Sequence, residues 1–187
     1  MVHHRIQLEL ITYQVTTTTA HVLTHAYPDH QGASAEICVR FNLPFGVGRN
    51  DVAAAESGMI APTMPQPAHP VARFEQMFMA GPGQPVNRVL HADDRVEDFV
   101  VIETPGHICL WRESGGGLIA GDVLRNIDFL TTRSGLKEPP AIFTADPVEN
   151  RRSIRKIAAL RPQVICFGHG PVLRDPQQIA DFIQTLK

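Results

Sequence analysis

Absences narrow the possibilities first. The 187 residues include only three cysteines, Cys38, Cys109 and Cys166, widely spaced and set in apolar runs. An odd count without framework spacing argues against a disulfide scaffold and fits a reducing compartment. No Cys-x-x-Cys pair offers a zinc finger. No apolar run is long enough to cross a bilayer. The opening MVHHRIQLEL has no hydrophobic region before a small-residue cleavage site, so a cytoplasmic setting is expected, without membrane or secretory signal. A surplus of charge of one sign is also missing. The formal net charge is -2, and the densest basic stretch, Arg151, Arg152, Arg155 and Lys156, is mixed with Glu149. No nucleic-acid partner is therefore expected. No internal repeat stands out.

What is present suits one well-buried domain over residues 1–187, with 43% hydrophobic residues in 20.6 kDa. Hydrophobic patterning predicts strands over 6–15, 20–24, 37–41, 86–90, 99–103, 108–111, 118–120 and 164–167. Residues 33–36 suit one helical turn and 51–57 a helix, while Pro44 and the glycines of 43–48 break structure. Pro62, Pro65, Pro67 and Pro70 impose an irregular excursion around 61–85, because proline cannot sit inside a helix or a central strand. Within it, residues 71–79 predict a short helix with Phe74, Met77 and Phe78 on one side. The acidic turn Asp93-Asp94 and the other short turns of the second half predict antiparallel pairing of consecutive strands. Asp146-Pro147 followed by Glu149, and Asp175-Pro176, carry helix-start signals. Strands followed by helices indicate an α/β or α+β class, with mixed sheets covered by helices.

The polar residues gather at strand ends. Thr24 to Gly32 reads THAYPDHQG and holds His25, Tyr27, Asp29 and His30. Three later turns repeat the pattern of glycine beside histidine or aspartate: Gly106-His107, Gly121-Asp122 and Gly168-His169-Gly170. A lone Asp122 is most often a turn residue, and a lone His107 or His169 a hydrogen-bonded structural histidine. Four such places in one small chain are harder to explain as unrelated turns. Neutral imidazoles and carboxylates bind divalent cations, whose charge offsets the cost of burying the ligands. Six potential ligands exceed what one tetrahedral ion needs.

The ordered set resembles the metallo-β-lactamase-fold hydrolases, including glyoxalase II-like thioesterases. Their first motif is His-x-His-x-Asp-His, matched by His25 to His30 except that Tyr27 replaces the second histidine. The later family ligands match His107 in ETPGH, Asp122 in LIAGD and His169 in CFGHGPV. The resemblance implies an αββα sandwich and a metal-dependent hydrolase acting through metal-activated water. An ester or thioester is the favoured linkage of a small-molecule substrate. One ion would be held by His25, His107 and Asp122, the other by Asp29, His30, Asp122 and His169. Zinc is the expected metal, as one or two ions, with iron or manganese as alternatives. Asp29 and Asp122 would also orient the nucleophile, and Tyr27 would turn its phenol towards the site or the substrate. Only 24 residues precede His25, and the family's Asp-x-Gly turn is missing from them. A reduced N-terminal half is therefore expected, with a homo-oligomer covering the shortened sheet. The competing expectation is a catalytically weak or inactive metal-binding or oligomeric protein derived from that fold.

Overall fold

The computed structural model describes residues 18–186; the strand expected over 6–15 lies outside them. Strands β1 (His21–Val22), β2 (Phe45–Gly48) and β3 (Arg88–Leu90) form a parallel sheet in that order. Strands β4 (Arg95–Val96), β5 (Phe99–Thr104), β6 (His107–Arg112), β7 (Gly117–Gly121) and β8 (Val164–Phe167) form a second sheet, also in sequence order. It is antiparallel as far as β7, and β8 then runs parallel to β7. The helices are α1 (Pro28–Gln31), α2 (Ser34–Phe41), α3 (Val52–Ser57), α4 (Pro70–Phe78), α5 (Pro147–Ala159) and α6 (Pro176–Thr185).

Strand alternation builds the layers. On β5 and β6, Val101, Ile108 and Leu110 turn one way and meet Leu90 of β3 between the two sheets. Ile102 and Cys109 turn the other way, joining Leu118 and Ala120 of β7 against Ile154 and Ile157 of α5 and Ile179 of α6. On the first sheet, Phe45 and Val47 pack with Cys38 of α2 and Ala54 and Ala55 of α3. The succession is helices, sheet, sheet, helices, so the expected αββα layering is present. Each fully buried leucine or isoleucine contributes roughly 1.5–3 kcal/mol to holding it. Both helix-start signals are realised: Asp146 accepts from the amide of Glu149 at 2.9 Å, and Asp175 from that of Gln177 at 3.0 Å.

Several expectations are corrected. Residues 37–41 are helical, not a strand. Their apparent alternation is broken by burial of Ser34 and Cys38, four apart, while Val39 is exposed. Asn42, with φ of 50°, closes that helix in the left-handed conformation. Residues 45–48 form a fully buried strand, not a break. Glycine permits it, since a Cβ on Gly48 would stand 2.8 Å from Ile108 Cγ2 of the facing sheet. β3 and β5 are not antiparallel partners. β3 joins β2 in parallel, and β5 pairs with the short β4, which patterning did not suggest. The expected short helix is present over 70–78 with Phe74, Met77 and Phe78 on one side, and that side is exposed.

Candidate metal centre

Four loops deliver the polar residues to one end of the sheets. β1 runs out into Thr24 and His25, and the single turn α1 then presents Asp29 and His30. Pro28 opens that turn at a position where its missing N–H costs nothing. His107 begins β6, whose Ile108 amide donates to the Thr24 carbonyl at 2.8 Å and so ties the two loops together. Asp122 follows β7. His169 follows β8 and is held by its carbonyl, which accepts from the Asn126 amide at 2.9 Å. Asn126 Nδ2 donates to the Pro171 carbonyl, also at 2.9 Å.

All six expected ligands converge. His30 Nε2 lies 3.5 Å from Asp29 Oδ2 and 3.6 Å from Asp122 Oδ2. His169 Nε2 lies 3.1 Å and 3.2 Å from the same two oxygens, and His25 Nε2 is 3.8 Å from Asp122 Oδ2. Two groups have ligand atoms all within 4.8 Å of one another: His25, His30 and Asp122, and Asp29, His30 and His169. His107 is outside both groups, though its ring centroid is 4.2 Å from that of His25.

The donor set fits a divalent cation. His25 Nε2, His30 Nε2, His107 Nδ1 and Asp122 Oδ1 are buried without a hydrogen-bond partner. Orphaned polar atoms of this kind are costly, and a cation coordinating them removes the cost. The imidazoles are also in the right state. Burial holds His25 well below its ordinary pKa, with His107 and His30 adding to the effect, and burial brings His107 down to about 4. Both are neutral near pH 7 and have a lone pair to offer. Burial alone would raise Asp122, but the facing imidazoles of His169, His30 and His25 outweigh it and hold the carboxyl well below its usual range. His169 is pushed up to about 10 by its hydrogen bonds to Asp122 and Asp29. Without a metal, its Nε2 therefore keeps a proton between the two carboxylates.

Tyr27 is buried among Ile60, Met64 and Ala72. Its ring meets that of His25 edge-on, with centroids 4.8 Å apart, and its hydroxyl donates to the Phe143 carbonyl at 3.3 Å. The ring borders the site, while the phenol proton is committed elsewhere. Burial, reinforced by the charge of Asp51, raises the phenol above its ordinary pKa. The side chain therefore stays neutral and is a poor replacement for imidazole.

Sequence reasoning placed Thr24 at the head of the first motif without giving it a contact, and it missed Asp51. Thr24 Oγ1 pairs with His25 Nδ1 at 3.1 Å and leaves Nε2 turned to Asp122. Asp51 Oδ1 accepts the Ala26 amide at 2.9 Å, pinning the loop between His25 and Tyr27. Asp51 carries no local motif, because it acts on a loop distant in sequence. Beyond the ligands opens a cavity of about 390 Å³, bordered by Tyr27, Glu75, Arg125, Phe129 and Phe143. The one available signal for Glu75 was a lone acid within an apolar stretch of helix.

The metallo-beta-lactamase superfamily model matches residues 16–169 of the chain. The chain is 31% identical over 169 residues to the probable metallo-hydrolase YflN of Bacillus subtilis (strain 168), covering 80% of this chain and 63% of that protein. It is 24% identical over 150 residues to the probable metallo-hydrolase YybB of the same organism, with the same coverages of 80% and 63%. It thus spans about 63% of the length of these curated relatives. The crystal structure of TTHA1623 in a di-iron-bound form superposes with a TM-score of 0.68 at 26% identity, covering 93% of this chain and 81% of that one. The BLEG-1 B3 metallo-beta-lactamase shares the fold, with a TM-score of 0.71 at 21% identity over 96% of this chain and 83% of its own. The matched span holds all four polar loops, from the Thr24 turn to His169, and the chain belongs to the metallo-beta-lactamase superfamily.

Proposed function

We propose that the protein is a metal-dependent hydrolase acting on an ester or thioester of a small molecule. The observation that carries this reading is the convergence of His25, His30, Asp122, Asp29 and His169, with buried ligand atoms left unpartnered beside an open cavity. His25, His107 and Asp122 would hold one cation, and Asp29, His30, Asp122 and His169 another. Zinc is the metal we favour, with iron and manganese as alternatives that the same nitrogen and oxygen donors accept. A di-iron form is known for TTHA1623. A bound cation supplies Lewis acidity, lowering the pKa of water and polarising an acyl oxygen.

The chain's own groups do the rest. Asp29 and Asp122 accept hydrogen bonds and fix the direction of the attacking water. The apolar cavity wall excludes bulk water and strengthens these electrostatic contacts. His169 Nε2 lies beside Asp29 Oδ2 and Asp122 Oδ2, where it would exchange its proton for the cation and share that ion with both carboxylates. Zinc-reconstituted protein assayed on ester and thioester panels tests the reading: hydrolysis that disappears on chelation and in Asp122→Ala supports it, and inertness towards every member opposes it.

One observation favours a second reading. The Tyr27 ring stands where the family motif places an imidazole, with its hydroxyl held by Phe143. A centre weakened there would leave a metal-binding protein with little or no turnover. Bound metal without hydrolysis of any panel member identifies that case.

A further inference from the structure

Glu75 is the unexplained group of the cavity. Val71 precedes it by four residues and Met79 follows it by four, so the three side chains form one stripe along and just past α4. All three line the cavity that also exposes Asp29, Asp122, His107 and His169. The opposing walls are largely apolar, with Phe129, Pro140 and Phe143 among them. In this setting Glu75 Oε2 is buried and has no hydrogen-bond partner. A carboxylate oxygen without a donor is costly to bury, and an apolar residue would have completed the stripe at no such cost.

Neighbouring groups do not relieve it. Arg125, across the cavity, donates through Nε to the Glu138 carbonyl at 3.1 Å and through Nη1 to the Ile127 carbonyl. Its guanidinium also stacks 4.5 Å over the Phe129 ring. Burial raises the Glu75 carboxyl to about 7, the charges of Asp29 and Asp122 adding to the rise and those of His169 and His30 opposing it. The wall itself is fixed. Gln76 accepts the Ile60 amide at 2.6 Å and donates to the Gly58 carbonyl at 3.0 Å. Just after the helix, a Cβ on Gly81 would meet Gly32 O at 2.1 Å, so backbone lies directly on backbone there. Glu75 is thus held as a preorganised acceptor facing the space where substrate must lie.

We infer that Glu75 is the specificity-determining residue of this cavity, accepting a hydrogen bond from a hydroxyl or ammonium group carried on an otherwise apolar acyl portion of the substrate. The inference rests on the hydrolase reading of the same site. It adds a rule of selection: a site with a buried acceptor discriminates strongly against an analogue that lacks the matching donor.

Two measurements on the zinc-reconstituted full chain test it. The first compares kcat/KM for the butyryl and 3-hydroxybutyryl thioesters of N-acetylcysteamine. The expected preference for the hydroxylated acyl group is about tenfold or more. It falls close to unity in Glu75→Leu and is partly kept in Glu75→Gln, which retains a carbonyl acceptor. Equal rates in the wild type, or the same preference in Glu75→Leu, overturn the inference. The second measurement needs no turnover. Calorimetric titration compares 4-phenylbutan-1-ol with its methyl ether, and the alcohol binds more tightly by a margin that Glu75→Leu abolishes. No margin, or no binding of either compound, overturns the inference. A Glu75-dependent margin without hydrolysis of any thioester supports this inference while contradicting the hydrolase reading. Hydrolysis without any preference does the reverse.

Discussion

Gly168 leaves no room for a side chain beside Asp122: a Cβ built there would lie 2.0 Å from Asp122 Oδ1 and 2.6 Å from His30 Cε1. The residue before His169 must be glycine for β8 to bring its histidine next to Asp122 and His30. Gly168→Ala is expected to displace both ligands and weaken metal binding by about tenfold or more, or ~1.4 kcal/mol. Competition against a calibrated chelator measures the change. An affinity within twofold of the wild type would show that the ligands tolerate displacement.

Asp51 makes stability depend on pH. Burial raises its pKa from 3.8 to about 7, although the Ala26 amide pulls the other way. Between those values the folded chain binds more protons at this group than the unfolded chain does. Its contribution is therefore fully present below about pH 4 and is lost as pH rises through about 7, at up to about 1.4 kcal/mol per pH unit. Asp51→Asn keeps an oxygen for the Ala26 amide and removes the titration. Denaturant melts of metal-free protein should show the variant gaining on the wild type from pH 4 to pH 7, with a constant gap above pH 8. Parallel curves across that window would contradict the assignment.

Tyr27 gives two further expectations. Tyr27→Phe loses the hydrogen bond to the Phe143 carbonyl and should cost about 1 kcal/mol of stability. Tyr27→His supplies the imidazole that the family motif carries at that position and should tighten metal at the site of His25 and His107. Metal titration followed by cobalt absorption reads this directly, and unchanged stoichiometry and affinity would show that position 27 does not face that site.

The contact between Gly81 and Gly32 sets the cavity wall. Because the clashing atoms are backbone, neither partner can rotate away, and Gly81→Ala should destabilise by at least about 1–3 kcal/mol. For a chain of this length that corresponds to a fall in Tm of roughly 2–4 °C per kcal/mol. A melting temperature within 1 °C of the wild type would mean that the excursion is free to move off α1.

The six candidate ligands are legible in the sequence because Asp29, His107, Asp122 and His169 each adjoin a proline or glycine at the end of an apolar run, and His25 and His30 share the first of those turns. These are local signals for a strand emptying into a functional turn. The helices α5 and α6 are legible for the same reason, through Asp146-Pro147 and Asp175-Pro176. What stays hidden depends on distant partners. Residues 45–48 form a central strand only because β1 and β3 flank them and Ile108 needs the space at Gly48. Residues 37–41 alternate like a strand, yet the burial of Cys38 one turn after Ser34 makes them helix. The sequence groups Phe74, Met77 and Phe78 on one side of α4 but does not say that this side is exposed. The inward face carries Ala72 and Gln76, where small size and hydrogen bonding decide the packing. Asp51 acts across space on the Ala26 amide and carries no motif of its own.

The central claim is that the cluster around Asp122 is a metal centre, and elemental analysis of the purified, reconstituted chain tests it most directly. One or two equivalents of zinc, iron or manganese per chain are expected, and they are lost in Asp122→Ala because the Asp122 carboxylate lies within 3.8 Å of His25, His30 and His169. A folded chain that retains no metal after reconstitution, or an Asp122→Ala variant that retains all of it, would contradict that claim.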